Sequence, residues 1–193
     1  MLPNSFQSLL QQCLKILDDN QINYWLDWGT LLQSTRGTEV FSYDFIFDLG
    51  ILEEDLHKVL PAIENELRVY KDLVLAIPDV NNLPNFHFKH SNIVDVHPMK
   101  WILIWPYVIK DNVLSIPFVE QGDTQILVSD LYPLKEIEFE KIQIKAPQNI
   151  ENICRHRFGK NYQTDLFSVL RPKKRLQGES KWTARLGTNP FSL

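Results

Sequence analysis

The stretch "FSYDFIFDLGI", residues 41–51, sets two aspartates four positions apart inside an apolar run. Alternation along a strand puts Asp44, Ile46 and Asp48 on one side and Phe45, Phe47 and Leu49 on the other. The aromatic side predicts a core face, and the acid side predicts a charged site on an open face. Two readings fit the acids: solvated carboxylates of an edge strand, or carboxylates converging on a hard cation that holds a phosphate.

The flanking sequence weighs on the second reading. In "YWLDWGTLLQSTR" (24–36) a strand ends at Gly29, and Thr30 opens a short helix that leads to Arg36. A strand–glycine–hydroxyl–helix turn offers backbone N–H groups and a hydroxyl to a phosphate. The acid strand follows at once. Together these are the parts of a nucleotidyltransferase-type phosphate site.

The bulk composition is that of a globular chain. It has 193 residues, 44% of them hydrophobic and 23% charged, which predicts a core-forming domain over 1–170 and a tail over 171–193. The net charge of -4 argues against electrostatic binding of nucleic acid. The tail differs: six Lys/Arg against Glu179 give it a local +5 and leave -9 on the rest. It reads as a solvated tail or as an anion-binding arm. Cys13 and Cys154 have no CxxC or Cys/His spacing, so a structural zinc is not expected and reduced, cytoplasmic thiols are. The apolar run "WILIWPYVI" (101–109) is too short for a membrane span, which needs roughly 20 residues.

Periodicity predicts an opening helix capped by Ser5, with apolar residues at 6, 9, 10, 13, 14 and 17. A second amphipathic helix covers "EEDLHKVLPAIENELR", with Pro61 as a kink or register break. Strands are predicted in 68–77, 86–99, 100–109 with 113–120, and 137–147, with Lys110-Asp111-Asn112 as a hairpin turn. Asn149 caps a last helix that Gly159 ends. This order predicts an α+β fold with a mixed sheet and flanking helices.

"YWLDWGTLLQSTR…FSYDFIFDLGI" resembles the LicD family, which includes the fukutin-related proteins. "NIVDVHPM" (92–99) is similar to that family's later acid-bearing strand, and "DLYPLKEIEFEKIQIKAPQNIENICRHRFG" (130–159) to its closing segment. The resemblance covers about residues 6 to 165. It implies a nucleotidyltransferase-like fold. It implies a metal-dependent transferase that moves phosphocholine or a polyol phosphate from a CDP-linked alcohol donor to a glycan acceptor. By position, Gly29 and Thr30 would shape the phosphate turn and Arg36 would hold the donor or order the acid strand. Asp48 and Asp95 would be ligands of Mg or Mn, Asp95 able to act as ligand or base, and Asp44 would sit beside the metal pair as the third catalytic carboxylate.

Two positions depart from the family pattern. Gln33 stands where the family has Gly. Ile46 stands where it has a middle metal-ligand Asp, and Asp44 lies about 13 Å along the strand from Asp48 at roughly 3.3 Å per residue. The resemblance therefore implies a weakened metal site. Lys89 is placed to supply positive charge beside a phosphate. Trp28 is placed to touch a base or a choline-like cation, whereas Trp25, Trp101 and Trp105 read as core or rim. His87, His90 and His97 read as strand residues or substrate contacts, and Cys154 and His156 as structural. Beside the transferase stand two alternatives: a non-catalytic nucleotide- or glycan-binding module, and a structural partner of an active transferase.

Overall fold

The computed structural model describes residues 4–36, 46–67, 73–76, 79–80, 83–84, 86–90, 101–116 and 125–164. Asp44, Asp95 and the basic tail lie outside the described residues.

The chain opens with α1 (Asn4–Asp19), β1 (Tyr24–Leu26), α2 (Trp28–Ser34) and β2 (Ile46–Leu52). A 3-10 turn (Glu53–Asp55) leads into α3 (Leu56–Leu67), and β3 (Leu73–Ala76), β4 (Asp79–Val80), β5 (Leu83–Pro84) and β6 (Phe86–His90) follow. Then come β7 (Trp101–Lys110), β8 (Val113–Ser115), β9 (Ile126–Leu127), α4 (Val128–Leu131), β10 (Lys135–Phe139), β11 (Ile142–Ala146) and α5 (Ile150–Phe158). Helix α1 starts at Asn4, so Ser5 lies inside it rather than capping it. Pro61 is accommodated within α3.

Seven of the described strands make one mixed sheet, in the order β1-β2-β7-β6-β3, with β8 on β7 and β9 on β8. Strands β2 and β7 are parallel neighbours, and β1 pairs antiparallel with β2. This is the predicted α+β class with a mixed sheet.

The aromatic side of the acid strand is core. Phe47, Leu49 and Ile51 are buried with Ile102 and Ile104 of β7. Each such side chain contributes about 1.5–3 kcal/mol. Phe139 of β10 closes this face against Phe47, at 6.1 Å between ring centroids. Helix α1 presents Leu10, Cys13, Leu14 and Leu17 to the interior, at the helical spacing read from sequence. Both thiols are buried, and burial pushes each up to about 12.

Two hairpins turn tightly. Asp111 and Asn112, at φ 51° and 61°, join β7 to β8 as predicted. Glu140 and Lys141, at φ 52° and 67°, do the same for β10 and β11 without a glycine or asparagine. Asn149 accepts from the Asn152 N–H at 3.3 Å and caps α5, and Gly159 ends it at φ 96°.

Gly50 fixes how β1 meets β2. It pairs with Trp25, whose indole lies over it so closely that a Cβ would meet Trp25 Cε2 at 2.3 Å. Trp25 is fully buried and cannot swing away. Gly50→Ala is therefore expected to lower the unfolding free energy by about 1–3 kcal/mol, read as a lower urea midpoint with an unchanged slope.

Candidate functional site

The site is built where β1 runs into α2 beside the middle of β2. The Asp27 N–H donates to the Asp48 carbonyl at 3.0 Å, carrying the β1–β2 pairing one step beyond Leu26. Three residues later the Thr30 hydroxyl accepts from the Asp48 N–H at 2.8 Å. The turn thus grips both backbone groups of Asp48. The Asp48 carboxylate, 5% exposed, accepts from the Trp105 indole N–H at 3.0 Å.

Beneath this lies a buried polar triad. Asp27 and Arg157 form an ion pair with both side chains wholly shielded from solvent. The Tyr107 hydroxyl donates to Asp27 at 2.5 Å, and Arg157 Nη2 donates to the Tyr107 oxygen at 2.8 Å. Burial, reinforced by the charge of Asp27, pushes the Tyr107 phenol well above its ordinary value. Burial acts to lower Arg157, but Asp27 and Tyr107 more than offset it and raise it. Because its carboxylate is engaged here, Asp27 makes no side-chain cap on α2, although it occupies the N-cap position.

Aromatic rings join triad and acid. The Arg157 guanidinium lies over the Trp28 ring at 4.6 Å, and Trp28 meets Trp105 at 5.7 Å with a 48° tilt. Trp28 opens α2 with φ 40°. That conformation is costly for a bulky side chain and persists where the surroundings over-determine it.

The residues named from sequence fall as follows. Gly29 and Thr30 are buried in the first turn of α2, as the strand–turn–helix reading required. Thr30 and Asp48 are brought together directly. Trp28 is at the site, with a cation of the protein's own against its ring. Arg36 donates from Nε at 2.8 Å, and also from Nη2, to the Tyr162 carbonyl. It therefore latches the chain after α5 onto the end of α2. Lys89 lies on β6, paired with Trp101 and Val74. Ile46 begins β2, paired with Trp101. The assignments of Asp44 and Asp95 fall outside the described residues. Among the described residues no three His, Cys, Asp or Glu side chains gather as a cation would need. Of the acids assigned to metal, Asp48 is the described one, and with it alone the described residues do not complete a cation site.

Sequence reasoning missed Asp27, Tyr107 and Arg157, and placed Trp105 only as core or rim. Asp27 carried a signal: an acid inside "YWLDWGT", in an apolar setting, needs a counter-charge.

Two outcomes test this arrangement. Thr30→Val leaves the buried Asp48 N–H without its acceptor and is expected to cost about 1–3 kcal/mol of stability, with Thr30→Ser recovering most of it in urea melts. Arg157→Met strands a buried carboxylate and is expected to cost about 3–5 kcal/mol, against about 1.5–3 kcal/mol for Tyr107→Phe, which takes one hydrogen bond from each buried charge, both read by thermal and urea unfolding.

The sequence model described as LicD/FKTN/FKRP, nucleotidyltransferase domain, matches residues 21–149. An uncharacterized protein of Rickettsia typhi is 25% identical over 147 residues, 74% of this chain and 42% of its own length. One of Rickettsia prowazekii is 26% identical over 157 residues, 75% of this chain and 50% of its own. The chain thus spans about half the length of the curated relatives it matches. Among solved structures, the lincomycin-bound lincosamide antibiotic adenylyltransferase LnuA is similar at 14% identity, covering 83% of this chain and 94% of its own, with a TM-score of 0.47. The antibiotic-resistance factor ANT(2'')-Ia is similar at 13% identity over 76% of this chain and 66% of its own, also at 0.47.

Proposed function

The chain belongs to the LicD/FKTN/FKRP family of nucleotidyltransferase domains, and from that premise we propose that it is a transferase moving a phospho-alcohol from a CDP-linked donor to a glycan. The alcohol is phosphocholine or a polyol phosphate in this reading. The observation that carries it is the hydrogen bond from the Asp48 N–H to the Thr30 hydroxyl. It ties the phosphate turn to the acid strand, the two pieces on which the resemblance rests, inside the matched residues.

In this reading Gly29 and Thr30 shape the wall beside the donor phosphates, with Arg36 bracing α2 behind them. Trp28 flanks the donor beside Asp48. Asp95, Asp44 and Lys89 complete the charge pattern, and Mg²⁺ or Mn²⁺ is the cofactor. A cytoplasmic location fits two buried free thiols.

Phosphoryl transfer depends on neutralising charge on the phosphate oxygens. Isoleucine cannot contribute to that, so the cation is held weakly and turnover is low. The same position favours the second reading, a binding module that takes the nucleotide or glycan without turnover. Isothermal calorimetry with Mn²⁺, CDP and CDP-choline, followed by turnover assays, separates these readings. The expected result is measurable CDP-choline binding, little turnover as the chain stands, and tighter Mn²⁺ binding with a gain in turnover for Ile46→Asp. Binding of neither CDP ligand by either form would remove the proposal. Robust turnover with Ile46 in place would overturn the weakened site.

A further inference from the structure

We propose that Trp105 is the positioning residue of Asp48, aiming its carboxylate into the site, and that Trp28 and Arg157 hold the indole in place to do so. The inference rests on Asp48 as the acid of the proposed transfer site.

The strand register makes the Trp105–Asp48 contact a directed one. Across the parallel pair, Asp48 lies opposite Leu103, whereas Trp105 lies opposite Gly50. To donate to Asp48 Oδ1, the indole reaches back two residues along the strand from its own cross-strand neighbour. The space over Gly50 is taken by the Trp25 indole, so Trp105 turns to the diagonal position. Here the N–H finds a carboxylate at 3.0 Å.

The donor is itself held. Trp105 leans on Trp28, and Trp28 carries the Arg157 guanidinium over its ring. Arg157 is anchored in turn by Asp27 and Tyr107. A continuous line of contacts therefore runs from the last turn of α5 to the Asp48 carboxylate. An aspartate turns about one bond, and a fixed donor selects one of its staggered positions. Partners behind a ligating carboxylate act in this way, by orientation rather than by touching what is bound.

The test reads orientation first. Three-bond couplings to Asp48 Cγ, measured in the labelled full chain, report its χ1. The expected result is a single rotamer in the native chain, averaging in Trp105→Phe, and a single rotamer again in Trp105→His, which restores an N–H. Arg157→Lys, which keeps the charge but loses the planar stack on Trp28, is expected to give partial averaging and carries the test if Trp105→Phe does not fold. The second arm is CDP-choline affinity by calorimetry. Trp105→Phe is expected to weaken it about 10-fold, and to have no effect in an Asp48→Ala background. A single Asp48 rotamer in the substituted chains, or the same affinity loss without Asp48, would overturn the proposal. Absence of CDP-choline binding by the native chain would instead count against the transferase reading, and the rotamer result would still decide the role of Trp105.

Discussion

The structure turns on the buried ion pair between Asp27 and Arg157, closed into a ring by Tyr107. Burying two charges costs several kcal/mol per ion unless their geometry and remaining hydrogen bonds compensate. Here each partner binds the other two, so the two charges are paired within the ring. Three distant elements meet in it: the turn after β1, the middle of β7 and the end of α5. The same Asp27 gives its N–H to Asp48, so whatever fixes the ion pair also fixes the acid strand's place beside α2.

The two faces of the central sheet do different work. On one, Phe47, Leu49, Ile51, Ile102 and Ile104 make a hydrocarbon interior whose contribution is area removed from water. On the other, Asp48 lies among indoles, a phenol and a guanidinium, where stability comes from directional contacts. Gly50 serves the second face by letting Trp25 lie flat on the strand. A site on strand and helix backbone is held more tightly than one on loops. The strained Trp28 backbone is consistent with such a setting.

Much of this was legible in the sequence because the signals were local. Asn149 and Gly159 bracket α5 where a cap and a stop were read. Asp111 and Asn112 turn β7 into β8, and the alternation of Phe47 and Leu49 against Asp48 gave the correct faces. The pieces that escaped depend on partners far along the chain. Arg36 was read as holding the donor or ordering the acid strand, and its contact with the Tyr162 carbonyl, 126 residues away, had no local signal. Asp27 could be seen to need a cation, yet nothing local named Arg157, which sits in a helix with other basic residues. The Glu140–Lys141 turn lacks the residues that ordinarily announce positive φ, because pairing of β10 with β11 imposes it. Trp105 reads as bulk until its indole is placed beside Asp48.

The separation of Asp27 from Arg157 also sets an order on synthesis. The ribosome makes the carboxylate 130 residues before the guanidinium. At roughly 5–20 residues per second the interval is on the order of ten seconds. Through that time Asp27 lacks the guanidinium that offsets its burial, and dry docking of β1, α2 and β2 carries the cost of an unpaired buried charge. Arrival of α5 is the event that lets water leave.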